Sequence, residues 1–270
     1  FSEISQQSEP YTIRLLGEEA ARQGKRHKVV LMIDMGDLRE GVFFQDKEGI
    51  YALADAVLAC PALELYGVGV NLTCFGGVLP SEENLSGLVQ VATLLRDRYG
   101  VPLPFVSGGN TSSLNLLFND AIPKGITNLR IGEGFLLAND TANLAPISGS
   151  FHRDCFTLEA QLVEVKRKPI GRTGANAFGE IVEFPDRGEM LRGICAIGRQ
   201  DVSPEGLTPC DPRVELLGAS SDHLLVNLND SPEYKVGDVL SFIPDYGALL
   251  RVYTSEYVYK AYRTSAPFMG

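Results

Sequence analysis

Ser107-Gly108-Gly109-Asn110-Thr111-Ser112-Ser113 and, further on, Asn128-Leu129-Arg130-Ile131-Gly132-Glu133-Gly134 are two polar, glycine-bearing turns, each closing a short apolar run. Consecutive turns of this kind suit a phosphate. Gly108 and Gly109 let backbone N–H groups approach an anion, residues 111–113 add hydroxyls, and the apolar run Leu114–Phe118 predicts a short helix whose N-terminus faces the same point. A phosphorylated ligand or cofactor is expected.

Outward from these turns, the first half of the chain alternates helical patterns with short apolar strands, the signature of parallel α/β architecture. Ser8-Glu9-Pro10 starts a helix with Ile13, Leu16 and Ala20 on one face, and Gly24 closes it before a strand at 29–33. A helix is expected at 47–59 and a strand at 65–70. The clearest helix opens at Ser81, with Glu82 and Glu83 in its first turn, Leu85, Leu88, Ala92, Leu95 and Tyr99 at helical spacing, and Arg96 and Arg98 at its negative end. Gly100 and Pro102 stop it. Strands at 103–106 and 127–131 complete the series.

In such βα units the residues just past each strand share one rim, and chemistry sits there. Those positions are Asp34-Met35-Gly36-Asp37 with Arg39, Asn71-Leu72-Thr73, the 107–113 turn, and Arg130 to Glu133. All four are polar, which points to a site rather than to four unrelated solvated loops. From about Ala145 the pattern becomes period-two, with candidate strands at 156–165, 191–197, 214–217, 223–228 and 239–242. Two domains follow: residues 1–145, and a mostly β domain over 146–270.

At 270 residues with 44% hydrophobic content the chain can bury a substantial core. Its net charge of −10 and lack of a basic tract argue against nucleic acid or an anionic membrane as main partner and leave small molecules. The five cysteines lack zinc-type spacing and fit reduced thiols in a cytoplasm. No apolar run is long enough for a membrane span and no signal peptide is visible. The chain starts at Phe1 instead of methionine, so it is expected to begin inside a longer protein.

The chain resembles the alanine racemase family of pyridoxal-phosphate enzymes, and within it the ornithine racemase-like branch. The matching blocks are Ile33-Asp34-Met35-Gly36-Asp37-Leu38-Arg39-Glu40-Gly41, Asn71-Leu72-Thr73-Cys74, Ser107-Gly108-Gly109-Asn110, Asn128-Leu129-Arg130-Ile131-Gly132-Glu133, Ala196-Ile197-Gly198-Arg199-Gln200-Asp201 and Leu217-Gly218-Ala219-Ser220-Ser221-Asp222-His223. Six ordered blocks are far more specific than one glycine motif.

The resemblance implies a (β/α)8 TIM barrel, here incomplete at its N-terminus, followed by a β domain, in a homodimer with shared active sites. It implies pyridoxal 5'-phosphate as cofactor and interconversion of L- and D-amino acids by proton abstraction at Cα. By the same resemblance Asn110, Thr111, Ser112, Gly132, Glu133 and Tyr257 would contact the cofactor, with Asn71 near its ring and Arg39 on the substrate side. Arg130 would face the pyridine nitrogen; a guanidinium cannot hand over a proton, which favours rapid return of the Cα proton. The alternative for Arg130 is an ion pair with Glu133 or Asp34.

Two departures stand out. The lysine that bonds to the cofactor in this family precedes everything present here, and none of the chain's own lysines replaces it. Where alanine racemases supply a tyrosine as the opposing base, this chain has Arg199, a poor base. Asp201, Asp222, His223 and Tyr246 are the nearby alternatives, and His223 is attractive because an imidazole ordinarily titrates at about 6.5. The bland reading of His223 is a structural pair with Asp222. An ornithine-like substrate carries a second ammonium, for which Asp201, Asp222 and Asp245 are candidates. The leading function is thus a racemase of a basic or polar amino acid. The alternatives are a non-catalytic binder of a phosphate-bearing ligand and a barrel decarboxylase, which Arg130 disfavours.

Overall fold

Residues 29–35 are buried without interruption, the mark of a strand covered on both faces as parallel sheets require. The computed structural model describes residues 2–143, 145–147, 149, 151–175 and 178–263; for 170–173 and 184–187 it describes the backbone. Phe1, which carried the expectation of an upstream segment, lies outside the described residues, as does the C-terminal end of the β domain. The chain divides into two units, Phe1–Phe151 and His152–Gly270.

The first unit runs β1 (Ile4–Gln7), α1 (Pro10–Arg22), β2 (His27–Asp34), β3 (Val42–Phe43), α2 (Lys47–Leu58), β4 (Leu63–Gly69), α3 (Glu82–Tyr99), β5 (Phe105–Ser107), α4 (Leu114–Phe118), α5 (Glu133–Leu137), β6 (Asn139–Asp140) and β7 (Ala145–Pro146). Its sheet has the order β1-β2-β4-β5, all parallel, with β3 beside the end of β2. Parallel pairing with helical crossovers places the C-terminal ends of β2, β4 and β5 on one rim. Ile50, Leu53 and Val57 of α2 and Leu85, Leu88 and Leu95 of α3 pack with Leu31, Ile33, Val68 and Val106 in one core. Burial of this many apolar side chains, at roughly 1.5–3 kcal/mol each, is what opposes the chain entropy lost on folding.

The start of α3 shows how local sequence sets an element boundary. Ser81 accepts from the Asn84 N–H at 3.2 Å while the Asn84 side chain accepts from the Ser81 N–H at 2.9 Å, a reciprocal cap, and Gly100 closes the helix. In β4, Gly67 lies so close to β5 that an added Cβ would sit 1.8 Å from the Phe105 carbonyl oxygen, so only glycine lets these strands pair here.

The second unit contains β8 (Leu158–Ala175), β9 (Ile181–Cys195), β10 (Leu207–Pro209), β11 (Glu215–Ala219), β12 (Leu224–Asn227), β13 (Val239–Pro244) and α6 (Tyr246–Thr254). Its antiparallel sheet has the order β10-β13-β8-β9-β12-β11, around a core that includes Leu162, Cys195, Val226 and Phe242. Burial pushes the Cys195 thiol up to about 12, so it behaves as an inert core group. Among the described residues no helix is long and apolar enough to cross a membrane, and no group of three or more His, Cys, Asp or Glu is placed to hold a metal ion.

Three expectations need correction. The segment 127–131 is not a strand: it shares with β5 only the bridge Ser107–Asn128, because Thr127 Oγ1 takes the Val106 N–H at 2.9 Å and gives its own proton to Pro104 O. A side chain has replaced part of the ladder. The strand expected at 156–165 is far longer, and the one at 191–197 is the end of β9. Helix α6 was not expected, and Asp245, a candidate for the substrate ammonium, is its N-cap, accepting from the Ala248 N–H at 2.8 Å.

Candidate active site

Arg130 stands at the centre of the rim. Its backbone N–H donates to Gly109 O at 2.9 Å, so the segment after β5 is tied to the glycine turn, where Gly109 has φ +103°. The guanidinium donates from Nη2 to Val70 O at 2.8 Å and to Asn71 Oδ1, and from Nη1 to Ser107 Oγ. It therefore links the ends of β4 and β5. Burial lowers its pKa, and Glu40 is the first of the charges that oppose this. No ion pair with Asp34 forms, because the Asp34 carboxylate accepts from the N–H groups of Gly36 and Leu38. Among the described residues Nε of Arg130 has no hydrogen-bond partner, so a donor remains free at the rim.

Asn71 does more than line the site. Its Nδ2 donates to Glu40, whose carboxylate also accepts from Arg39 Nε and Nη2. The Arg39 guanidinium, followed by the Asn71 bond, holds Glu40 down at about 2. Sequence reasoning passed over Glu40, although it lies in the first matching block beside Arg39. It also passed over the role of Asp37, which is 1% exposed and accepts from the N–H groups of Cys74, Phe75 and Val78. Asp34 and Asp37 thereby hold loops in which Leu38 (φ 56°) and Thr73 (φ 64°) adopt left-handed backbone, strain of the kind found at functional sites.

The 107–113 turn is largely self-satisfied. Asn110 Oδ1 accepts from the Ser112 N–H and hydroxyl, Asn110 Nδ2 donates to Leu72 O at 2.9 Å, and Ser113 Oγ donates to Gly108 O. Thr111 Oγ1 accepts from the Gly134 N–H at 3.2 Å and, among the described residues, donates to nothing. Its proton is the one left for an anion. Gly132 opens α5, and no atom lies within 4 Å of where a Cβ on it would sit. Glu133 follows in the first turn of α5.

This donor set suits a pyridoxal phosphate at two of its three attachment points. Thr111 and the open backbone at Gly132 match the phosphate end, and the free Arg130 donor matches the ring nitrogen. The third point, a lysine, has no match on this rim among the described residues. Lys28 begins β2 and lies 4.4 Å from the Tyr66 ring centroid, Lys47 begins α2, and Lys124 sits in the bridge with Ile126.

The second unit gathers its own candidates. Arg199 N donates to Ser220 O and Gln200 N to Ser221 O, which lays the 199–201 turn against the turn carrying Asp222 and His223. Arg199 is spent on Glu205 and Ala219 O. His223 and Asp222 are exposed, and among the described residues no hydrogen bond joins them. Asp201, 6% exposed, accepts from Ser255 Oγ at 2.6 Å and lines a 260 Å³ hollow with Gln200, Arg251, Glu256 and Tyr257. Tyr257 itself is 83% exposed, and Tyr246 is exposed on the first turn of α6.

Residues 8–139 match the family described as alanine racemase, N-terminal domain. Over 264 residues the chain is 45% identical to an ornithine racemase of Acetoanaerobium sticklandii, spanning 96% of this chain and 74% of that protein. It is 40% identical over 252 residues to a lysine racemase of Thermotoga maritima, spanning 92% and 69%. Among solved structures, an alanine racemase of Clostridium difficile superposes with a TM-score of 0.59 at 15% identity, over 93% of this chain and 66% of that one. A D-threonine aldolase of Filomicrobium marinum gives 0.61 at 18% identity, over 90% and 61%. The chain thus spans less than two thirds of either solved chain, and these likenesses speak for the fold alone: an alanine racemase-like barrel-type unit with a β domain. On the two close relatives, which it matches over most of its length, the chain belongs to the alanine racemase family.

Proposed function

We propose that the full-length protein is a pyridoxal-phosphate-dependent racemase of a basic amino acid, with ornithine and lysine as the first substrates to test, and that it works as a cytoplasmic homodimer. The observation that carries this is Arg130, fixed by three hydrogen bonds across two strand ends with its Nε–H and one Nη1–H left over. Family membership and the two relatives' printed activities support it.

Pyridoxal phosphate, when bound, supplies a conjugated ring that draws electrons from Cα and makes its hydrogen acidic. The chain's own residues would do the rest. Thr111 Oγ1 and the backbone at Gly132 and Glu133 would hold the phosphate, with Asn110 and Ser112 shaping the turn that carries Thr111. Arg130 would hold the ring nitrogen without giving it a proton, so the proton taken from Cα returns to Cα instead of being lost to other chemistry. Asn71 and Arg39 would border the ring and the substrate side. In the second unit His223, exposed and free of any hydrogen bond on its ring among the described residues, is the proposed proton acceptor, with Asp201, Asp222 and Arg199 as the other candidates in that unit. The barrel unit here would be the later part of a (β/α)8 barrel, and the lysine would come from the portion of the relatives' length that this chain does not match.

The experiment is conversion of L-ornithine and L-lysine by the full-length protein loaded with pyridoxal phosphate, read by chiral chromatography. Formation of the D-enantiomers supports the reading. Cofactor binding with no change in chirality of any common amino acid would instead mark a non-catalytic binder.

A further inference from the structure

Between Glu40 and Arg130 the direction of every hydrogen bond is set by chemistry. A carboxylate only accepts, so Asn71 must turn Nδ2 to Glu40 and therefore Oδ1 to Arg130 Nη2. A guanidinium only donates, so Ser107 Oγ accepts from Nη1 and passes its own proton to Asn128 Oδ1 at 2.7 Å. Arg39 closes the far end by donating to both carboxylate oxygens of Glu40. Without an acceptor at position 40 the Asn71 amide is free to turn over, and two donors, Asn71 Nδ2 and Arg130 Nη2, would then face each other. Networks of this kind hold their members only when every link is satisfied.

We propose that Glu40, acting through Asn71, is a positioning residue that holds the Arg130 guanidinium in its pose at the ends of β4 and β5. What that pose serves rests on the cofactor reading above; the hydrogen-bond chain does not. Glu40 makes no hydrogen bond to Ser107 or the glycine turn, so beside the direct attraction of its charge its hold on the Arg130 pose runs through one amide.

The test is a double-mutant cycle in the full-length protein with Glu40→Ala and Asn71→Leu, plus Glu40→Gln as the conservative variant. The dissociation constant for pyridoxal phosphate is measured by equilibrium dialysis of cofactor-stripped protein, and kcat and KM are measured for the basic amino acid that the wild type converts. Each single change is expected to weaken cofactor binding and to lower kcat by about tenfold with KM little moved, and the double variant to be no worse than either, because one shared link is lost only once. Glu40→Gln keeps an oxygen for Asn71 and loses less than Glu40→Ala. Full additivity overturns the proposal. So does equal damage from Gln and Ala, or a fall in melting temperature with cofactor binding and kcat untouched. If the wild type binds no cofactor, the cofactor reading fails separately. The cycle then uses unfolding free energies: coupling of Glu40→Ala to Arg130→Met that vanishes once Asn71→Leu is introduced upholds the proposal, and additivity overturns it.

Discussion

Asp37 shows how one side chain shapes the rim. Its carboxylate is buried and takes three backbone N–H groups from the loop after β4, while its own carbonyl accepts from Gly76 N at 2.8 Å. Removing the carboxylate breaks three hydrogen bonds at once, around a side chain that is 1% exposed. Asp37→Ala is therefore expected to destabilise the protein by about 2–4 kcal/mol in urea unfolding, the scale of several unmet hydrogen bonds. A change within about 0.5 kcal/mol, typical of an ordinary surface substitution, would show that the loop does not depend on it. The sequence made Asp34, Asp37 and Arg130 visible as polar residues past apolar runs. It did not reveal what each oxygen holds, because those partners are distant in the chain: Asp37 and Phe75 are 38 residues apart, and Glu40 and Asn71 are 31 apart.

Among the elements, those whose boundaries are written locally were legible and those decided by tertiary contacts were not. Helix α3 carries its own cap, acidic first turn and closing glycine, and forms as read. Strand β1, Ile4–Gln7, is polar for most of its length and becomes a strand only because β2 lies beside it. Helix α6 follows directly on β13, and the Asp245 that announces it is its N-cap, a role that looks the same in sequence as that of a binding aspartate. Gly67 is a similar case, an unremarkable residue by sequence whose identity is dictated by the neighbouring strand. Gly67→Ala places a methyl against the Phe105 carbonyl and is expected to lower the thermal midpoint of the first unit's unfolding by more than about 5 °C, the shift that roughly 2 kcal/mol produces in a domain of this size. An unchanged midpoint would mean that β4 and β5 do not approach as described.

For the molecule as a whole, two kinds of period announced two kinds of unit: helical spacing with short apolar strands for the parallel sheet, and alternation for the antiparallel one. The candidate residues divide the same way. Arg39, Asn71, Asn110, Thr111, Ser112, Arg130, Gly132 and Glu133 belong to the first unit, and Arg199, Asp201, Asp222, His223, Asp245 and Tyr257 to the second. Within the first, hydrogen bonds join Arg39 through Glu40 and Asn71 to Arg130 and Ser107, a connectivity that ordered sequence blocks hinted at only by recurring at strand ends. The account stands or falls on what Arg130 faces. A crystal structure of the full-length protein grown with pyridoxal phosphate tests this directly. The expected density puts the pyridine nitrogen within hydrogen-bond distance of the Arg130 guanidinium and the phosphate against Thr111 and Gly132. An aromatic ring bound elsewhere, or an Arg130 side chain turned away from it into solvent, would contradict the account.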